Sequence, residues 1–352
     1  MKTIGVIFGG RSVEHDISIL TALHAMRHIS ESVKVKPIYL TRDNKMVTGE
    51  ALKNLDFYIK GKGKTKPWKG DGVDVILNCC HGGVGEGGEL AAYMKVIDIP
   101  VTSADMQSAT LVQNKLATRE FLAQSEFDQP KFEGIDITKD SKITLDYPLI
   151  VKPNTLGSSI GITVARNESE LRNAVTVAQT LDSTVIVEEY LEDTIEVNCS
   201  AFYSLDRTWV SKCELLDKDK TILDFDKKYI EPSGFVKKSG DEDEYDENEK
   251  KYEKVFAKVQ ELTAQAYELF GLRGVVRADF LIQNAETDNP RVVLNEINSI
   301  PGFLAYHLWA RTGFPYGVLI DLLCKQAIRE HEQCKLTTEF KSEILEINKG
   351  LV

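Results

Sequence analysis

The chain has 352 residues, 42% of them hydrophobic and 28% charged, and its 54 acidic against 43 basic side chains leave a net charge of −11. That length is enough for two or three domains, each burying a core. The acidic balance argues against nucleic acid or anionic membrane as a partner, since both select a basic face; no apolar run approaches the ~18 residues of a membrane span, and six cysteines without CxxC or Cys/His spacing form neither a disulfide framework nor a zinc site.

Residues 1–104 alternate strand and helix patterns. Ile4 to Phe8 is a buried strand without the long apolar stretch or cleavage site of a secretory signal, so the expected compartment is the cytoplasm. Val13, Ile17, Leu20 and Leu23 share a helical face, and Val33 to Leu40 and Val73 to Cys79 are further strands. This βαβ order predicts an α/β unit with an open parallel sheet. Gly61 to Pro67 is a solvated loop. Two strands end in Gly-rich loops, Gly9-Gly10-Arg11-Ser12-Val13-Glu14-His15 and His81-Gly82-Gly83-Val84-Gly85-Glu86-Gly87-Gly88. Ligands of open parallel sheets bind beyond such carboxyl ends. Glu14, in the first turn of a helix capped by Ser12, reads either as dipole compensation or as a receptor for a substrate ammonium group. His15 and His81 read equally well as hydrogen-bonded packing residues.

Residues 105–192 form a compact α+β unit. A helix begins at Lys115, and Tyr147 to Lys152 is a strand. The loop Lys152-Pro153-Asn154-Thr155-Leu156-Gly157-Ser158-Ser159-Ile160-Gly161 joins a lysine to free amides and hydroxyls, which suits a polyphosphate; its bland alternative is a plain turn. No GxxxxGK[ST] occurs, which argues against a P-loop fold. A helix from Glu168 to Leu181 precedes the strand Thr184 to Glu188. The segment Val185-Ile186-Val187-Glu188-Glu189-Tyr190-Leu191 suits an adenine, through backbone hydrogen bonds and an apolar sandwich.

Residues 193–352 open with the strand Val197 to Phe202. A polar stretch follows from Asp217 to Glu249, and its acidic part, Ser239 to Glu244, reads as a solvated loop. A helix runs from about Tyr252 to Phe270 and stops at Gly271. The most informative pattern is Arg277-Ala278-Asp279-Phe280 with Leu294-Asn295-Glu296-Ile297-Asn298, flanking the turn-rich Asn284 to Pro290. A symmetric hairpin sets Asp279 opposite Glu296 and Arg277 opposite Asn298. Acids in such apolar strands need a neutralising charge. Hard oxygen ligands suit Mg2+, while a salt bridge of Arg277 to the two acids is the bland reading.

In order, GGRSVEHDIS, HGGVGEGG, the lysine of QNKLATREFL, VKPNTLGSSIGI, VEEYLEDTIEV, DFDKKY, GVVRADF and LNEINSIPGF resemble the D-alanine:D-alanine ligase family over nearly the whole chain. The resemblance implies a three-domain ATP-grasp architecture: a Rossmann-like pre-ATP-grasp domain (1–104), a central subdomain (105–192) and a C-terminal subdomain (193–352) with the metal and substrate site. It implies ATP, with Lys115, Lys152, Ser159 and Lys228 on the phosphates and Glu188, Tyr190, Leu191 and Glu196 on adenosine. Two Mg2+ ions, replaceable by Mn2+, would be held by Asp279, Glu296 and Asn298. Glu14 would meet the first substrate's amino group, Ser158 and Tyr229 would orient Glu14 and a closing loop from Asp224 to Lys238, and Arg277 with the Gly302 amide would face the reacting acyl group beside His81. A homodimer and two small amino-acid substrates, joined through an acyl phosphate for peptidoglycan synthesis, are implied in the same way.

Four positions depart from the family's pattern. His307 stands at an expected serine that reads the acceptor's carboxylate, Gly87 replaces the aspartate of GEDG, Ala91 the following glutamine, and Asn114 the aspartate before Lys115. Acceptors other than D-alanine, such as D-serine, D-lactate or another amino acid, and a non-catalytic ATP-binding homologue are the alternatives these departures leave.

Overall fold

The structure, a computed structural model, describes residues 1–136, 143–216, 242–334, 342–347 and 349. Three sheets organise it. The first contains β1 (Thr3–Gly9), β2 (Lys34–Leu40), β3 (Met46–Thr48), β4 (Lys66–Pro67) and β5 (Val75–Asn78), in the order β4-β3-β2-β1-β5. Pairing is parallel from β2 through β1 to β5, as the βαβ pattern predicts, but antiparallel at β3 and β4, so the sheet is mixed. The difference lies in the short strand around Val47, which follows β2 after a tight turn and therefore returns beside it.

β1 shows why this sheet is buried. Ile4, Val6 and Phe8 enter one core with the helix His15–His28 and the C-terminal helix Tyr316–Gln333, while Ile7 faces another core with Leu90 and Met94 of the helix Glu89–Val96. Alternating apolar side chains are thus used on both faces. Two loops leave the carboxyl ends of this sheet toward the rest of the molecule. In the second, Gly85 is required because a Cβ there would collide with the Cys80 carbonyl.

The second sheet comprises β6 (Phe132–Asp136), β7 (Leu149–Pro153), β8 (Thr163–Ala165) and β9 (Thr184–Glu189), ordered β6-β9-β7-β8 and antiparallel throughout. The helix Glu168–Gln179 covers one face through Leu171, Ala174 and Ala178, and Asn167 caps it by accepting from the Glu170 amide. The third sheet holds β10 (Thr194–Ser204), β11 (Arg207–Val210), β12 (Glu214–Leu216), β13 (Val276–Gln283) and β14 (Arg291–Asn298), in the order β11-β10-β13-β14 with β12 beside β10. Its Val197, Cys199, Ala201, Ala278 and Phe280 pack on the helix Glu253–Leu269, which ends where Gly271 takes φ +60°.

Where the sequence suggested a solvated acidic loop up to Glu244, helix Glu242–Lys251 already begins. The helix after Ser12 starts one residue later than the pattern implied, at His15, and the Ser12 hydroxyl accepts from the Glu14 amide at 3.0 Å. Among the described residues no helix is long and apolar enough to cross a membrane.

Candidate active site

The predicted hairpin forms in the predicted register: Arg277 lies opposite Asn298 and Asp279 opposite Glu296, with a shift only beyond Asp279. Arg277 donates to both oxygens of Asp279, at 2.6 and 2.7 Å, and Asn298 Nδ2 donates to the same carboxylate at 3.0 Å. Glu296 lies 3.8 Å from Lys115 Nζ, whose pKa burial pushes down against the opposing pull of Glu296. The hairpin therefore gathers two carboxylates and an amide around one arginine and one lysine. Hard oxygens at this density fit a divalent cation that takes its remaining ligands from phosphate and water. Among the described residues no three Asp, Glu, His or Cys side chains converge as a self-sufficient metal cage, so such a cation depends on its nucleotide.

Facing the hairpin, the central sheet contributes a buried charge network that sequence reasoning only half anticipated. Glu188, 1% exposed, accepts from Arg119 Nε at 2.5 Å and from Lys152 Nζ at 2.6 Å. Burial alone would raise its pKa, but the two cations outweigh that and hold it at about 2. Arg119 also donates to the carbonyls of Leu294 and Asn295, and Lys152 to Asn295 Oδ1 at 3.2 Å. Thus the second and third sheets are joined through Glu188. Arg119 carries a sequence signal that was passed over: it lies four residues after Lys115, on the same helical face.

The Gly/Ser loop is shaped by its own backbone. Ser158, Ser159 and Gly161 adopt φ of +55°, +57° and +76°, and Lys115 Nζ donates to the Leu156 carbonyl at 2.7 Å. Asn154 ties the loop to the helix Lys115–Leu122 by accepting from the Leu116 amide. Asn114, the departure before Lys115, caps that helix through the Ala117 amide, work an aspartate would also perform. Ser158 Oγ reaches Glu14 Oε1 at 2.5 Å, so the first and second sheets meet there. Tyr190 donates its amide to the Pro148 carbonyl, Leu191 is buried, and Glu196 sits on β10 opposite Leu216. Lys228, Tyr229 and the Asp224 to Lys238 loop lie outside the described residues.

His81 is packed as its bland reading proposed, yet at the site. Its Nδ1 lies 2.7 Å from the Ile300 carbonyl and its Nε2 2.7 Å from Thr21 Oγ1. A carbonyl only accepts, so the proton is on Nδ1 and the Thr21 hydroxyl donates to Nε2. Burial holds the imidazole below its usual pKa, in keeping with this neutral form. Thr21 in turn accepts from the Phe303 amide at 3.2 Å. Glu86 accepts from the Ile300 and Gly82 amides at 3.0 and 2.8 Å, and burial followed by the nearby Glu14 charge raises its pKa to about 8. Thr21 and Glu86 were not anticipated as site residues.

These contacts fix an unusual turn. Phe303, Leu304 and Ala305 take φ of +50°, +54° and +53°, three successive side chains in the left-handed region that normally favours glycine. Before them Gly302 faces open space, with nothing within 4 Å of where a Cβ would stand. After them the helix Tyr306–Arg311 lies over β10, where Trp309 donates to Ser200 Oγ, and His307 Nε2 lies 2.9 Å from Glu214 Oε2.

A pair of antiparallel sheets, one offering lysines and a Gly/Ser loop and the other two carboxylates, set beside a Rossmann-like sheet, defines an ATP-grasp enzyme. Residues 3–104 match the family model for the D-ala D-ala ligase N-terminus and residues 112–328 that for the C-terminus. A D-alanine--D-alanine ligase of Thermosipho africanus is 30% identical over 378 residues, covering 100% of this chain and 98% of the relative. Among solved structures, the D-alanine-D-alanine ligase from Coxiella burnetii shares the fold at TM-score 0.78 with 21% identity, over 95% of this chain and 97% of that one. VanG D-Ala:D-Ser ligase from Enterococcus faecalis does so at TM-score 0.74 and 24% identity, over 93% and 99%. The chain belongs to the D-alanine–D-alanine ligase family, and it is a ligase.

Proposed function

We propose that this protein joins two D-alanines at the expense of ATP, through an acyl phosphate, to supply a peptidoglycan precursor in the cytoplasm. The observation that carries the reading is the Asp279–Glu296 pair facing Lys115 in a chain related to these ligases over its full length. Asp279, Glu296 and Asn298 would hold two Mg2+, or Mn2+ in their place, and bound there the metal would neutralise charge on the transferred phosphoryl group. Lys115, Lys152, Lys228 and the Ser158–Ser159 loop bind the phosphates. Tyr190, Leu191 and Glu196 receive the adenosine. Since both Glu188 oxygens are engaged, that residue acts by fixing Lys152 and through its backbone.

Glu14, oriented by Ser158 and Tyr229, takes the ammonium of the first D-alanine, whose carboxylate attacks the γ-phosphate. Arg277 and the Gly302 amide, the latter held in place by the turn that His81 and Thr21 anchor, stabilise the tetrahedral oxyanion when the second amine attacks. Closure of the loop bearing Lys228 and Tyr229 excludes the water that would hydrolyse the acyl phosphate. The test is phosphate release from Mg-ATP with D-alanine, together with the mass of the product. Absence of phosphate release with every amino-acid pair would overturn the reading. His307 favours a second reading, an acceptor other than D-alanine, which a panel with D-serine and D-lactate separates. Pairing as a homodimer belongs to the same proposal and is read by sedimentation.

A further inference from the structure

Four polar side chains stand in one line across the open face of the third sheet. Glu214 on β12 pairs in register with Asn198 on β10, Asn198 with Asp279 on β13, and Asp279 with Glu296 on β14. Directly opposed residues project from the same face. Neighbouring strands are about 4.8 Å apart, which puts Glu214 about 10 Å from Asp279, the length of a small amino acid plus its contacts. Glu214, Asn198 and Asp279 are only 6%, 4% and 2% exposed. Asp279 has Arg277 and Asn298, and Glu214 has His307. Between them Asn198 Oδ1 is buried without any hydrogen-bond partner. A buried amide oxygen left in that condition is costly until a donor reaches it.

The chemistry of the line selects its guest. A carboxylate would meet the Glu214 carboxylate and the Asn198 oxygen, acceptors both, and would be repelled. An ammonium group brings three N–H donors and a positive charge. We propose that Glu214 and Asn198 hold the ammonium group of the acceptor amino acid, and that the Glu214–His307 pair takes its proton. This rests on the ligase reading above and adds the acceptor's chemical class to it. One N–H proton moves from the ammonium nitrogen to Glu214, whose other oxygen His307 steadies. The freed lone pair forms the C–N bond at the acyl carbon. The bond from that carbon to the phosphate oxygen breaks, its electron pair leaves on phosphate, and the phosphate takes the second proton from nitrogen. The site thereby chooses an amine over a hydroxyl nucleophile.

The experiment uses the full chain with Mg-ATP and D-alanine, and follows two products: the hydroxamate formed when hydroxylamine traps the acyl phosphate, and the dipeptide. In Glu214→Gln, hydroxamate formation stays within about twofold, while acceptor kcat/KM falls by about 100-fold, the scale of a lost general base. Formate restores dipeptide formation to Glu214→Ala, and D-lactate yields no ester with the unaltered protein. Wild-type acceptor kcat/KM in Glu214→Gln would overturn the proposal. So would equal loss of both products, which would assign Glu214 to the fold, or one Mn2+ fewer bound in the variant, which would assign it to a metal. Failure of the unaltered protein to form hydroxamate would instead count against the ligase reading.

Discussion

Replacing Glu188 by glutamine removes the negative charge between Arg119 and Lys152 while keeping its size. A carboxyl held at about 2 rather than at 4.5 contributes about 3 kcal/mol at neutral pH, at 1.36 kcal/mol for each pH unit. Breaking a buried ion pair from one side costs about 3–5 kcal/mol by a separate line of reasoning, because the remaining charges stay buried. Both estimates point to a loss of about 3 kcal/mol. The sign with pH follows from the lowered pKa: this stability is present above about pH 4.5 and is lost as pH falls toward 2. Urea unfolding of both proteins between pH 7 and pH 3 reads it. Glu188→Gln should unfold at markedly lower urea at pH 7, and the gap should close in acid. Equal midpoints at pH 7, or a gap that persists unchanged at pH 3, would refute the reasoning.

Three further outcomes follow from the site. Glu296→Gln should lower phosphate release by at least about 100-fold, as expected when charge stabilisation of the transition state is lost, with the melting temperature unchanged within a few degrees. Ser158→Ala removes the Glu14 contact and should raise KM for the first D-alanine more than KM for ATP, measured by initial rates. Glu86, held at about 8, makes the folded protein less stable as pH rises from about 5 to 8; Glu86→Gln should flatten that slope in thermal unfolding, and an unchanged slope would place the effect elsewhere.

The hairpin was the most legible part of the molecule, because a symmetric turn and strict alternation fix which side chains oppose one another. The shift after Asp279 left no trace in the pattern. Glu188 read as a strand ending in an acid; its partners lie 36 and 69 positions away, and no local spacing reports such a contact. Thr21 looked like any small residue on a buried helix face, and its role exists only because Phe303 returns to it from the far end of the chain. Asn198 and Glu214 were hidden for a related reason, since each is a single polar residue in its strand and only the strand order sets them in line with Asp279. The parallel core of the first sheet was readable from βαβ spacing, whereas its antiparallel edge depended on two very short strands.

Three side-chain contacts stitch the first hundred residues to everything after them: Glu14 with Ser158, His81 with the Ile300 carbonyl, and Thr21 with the Phe303 amide. For anyone recombining ligases this marks where a crossover will do harm. A chimera that takes its opening segment from another parent must import matching partners at 158, 300 and 303, or the seam will leave the left-handed turn without its anchors even though each half folds.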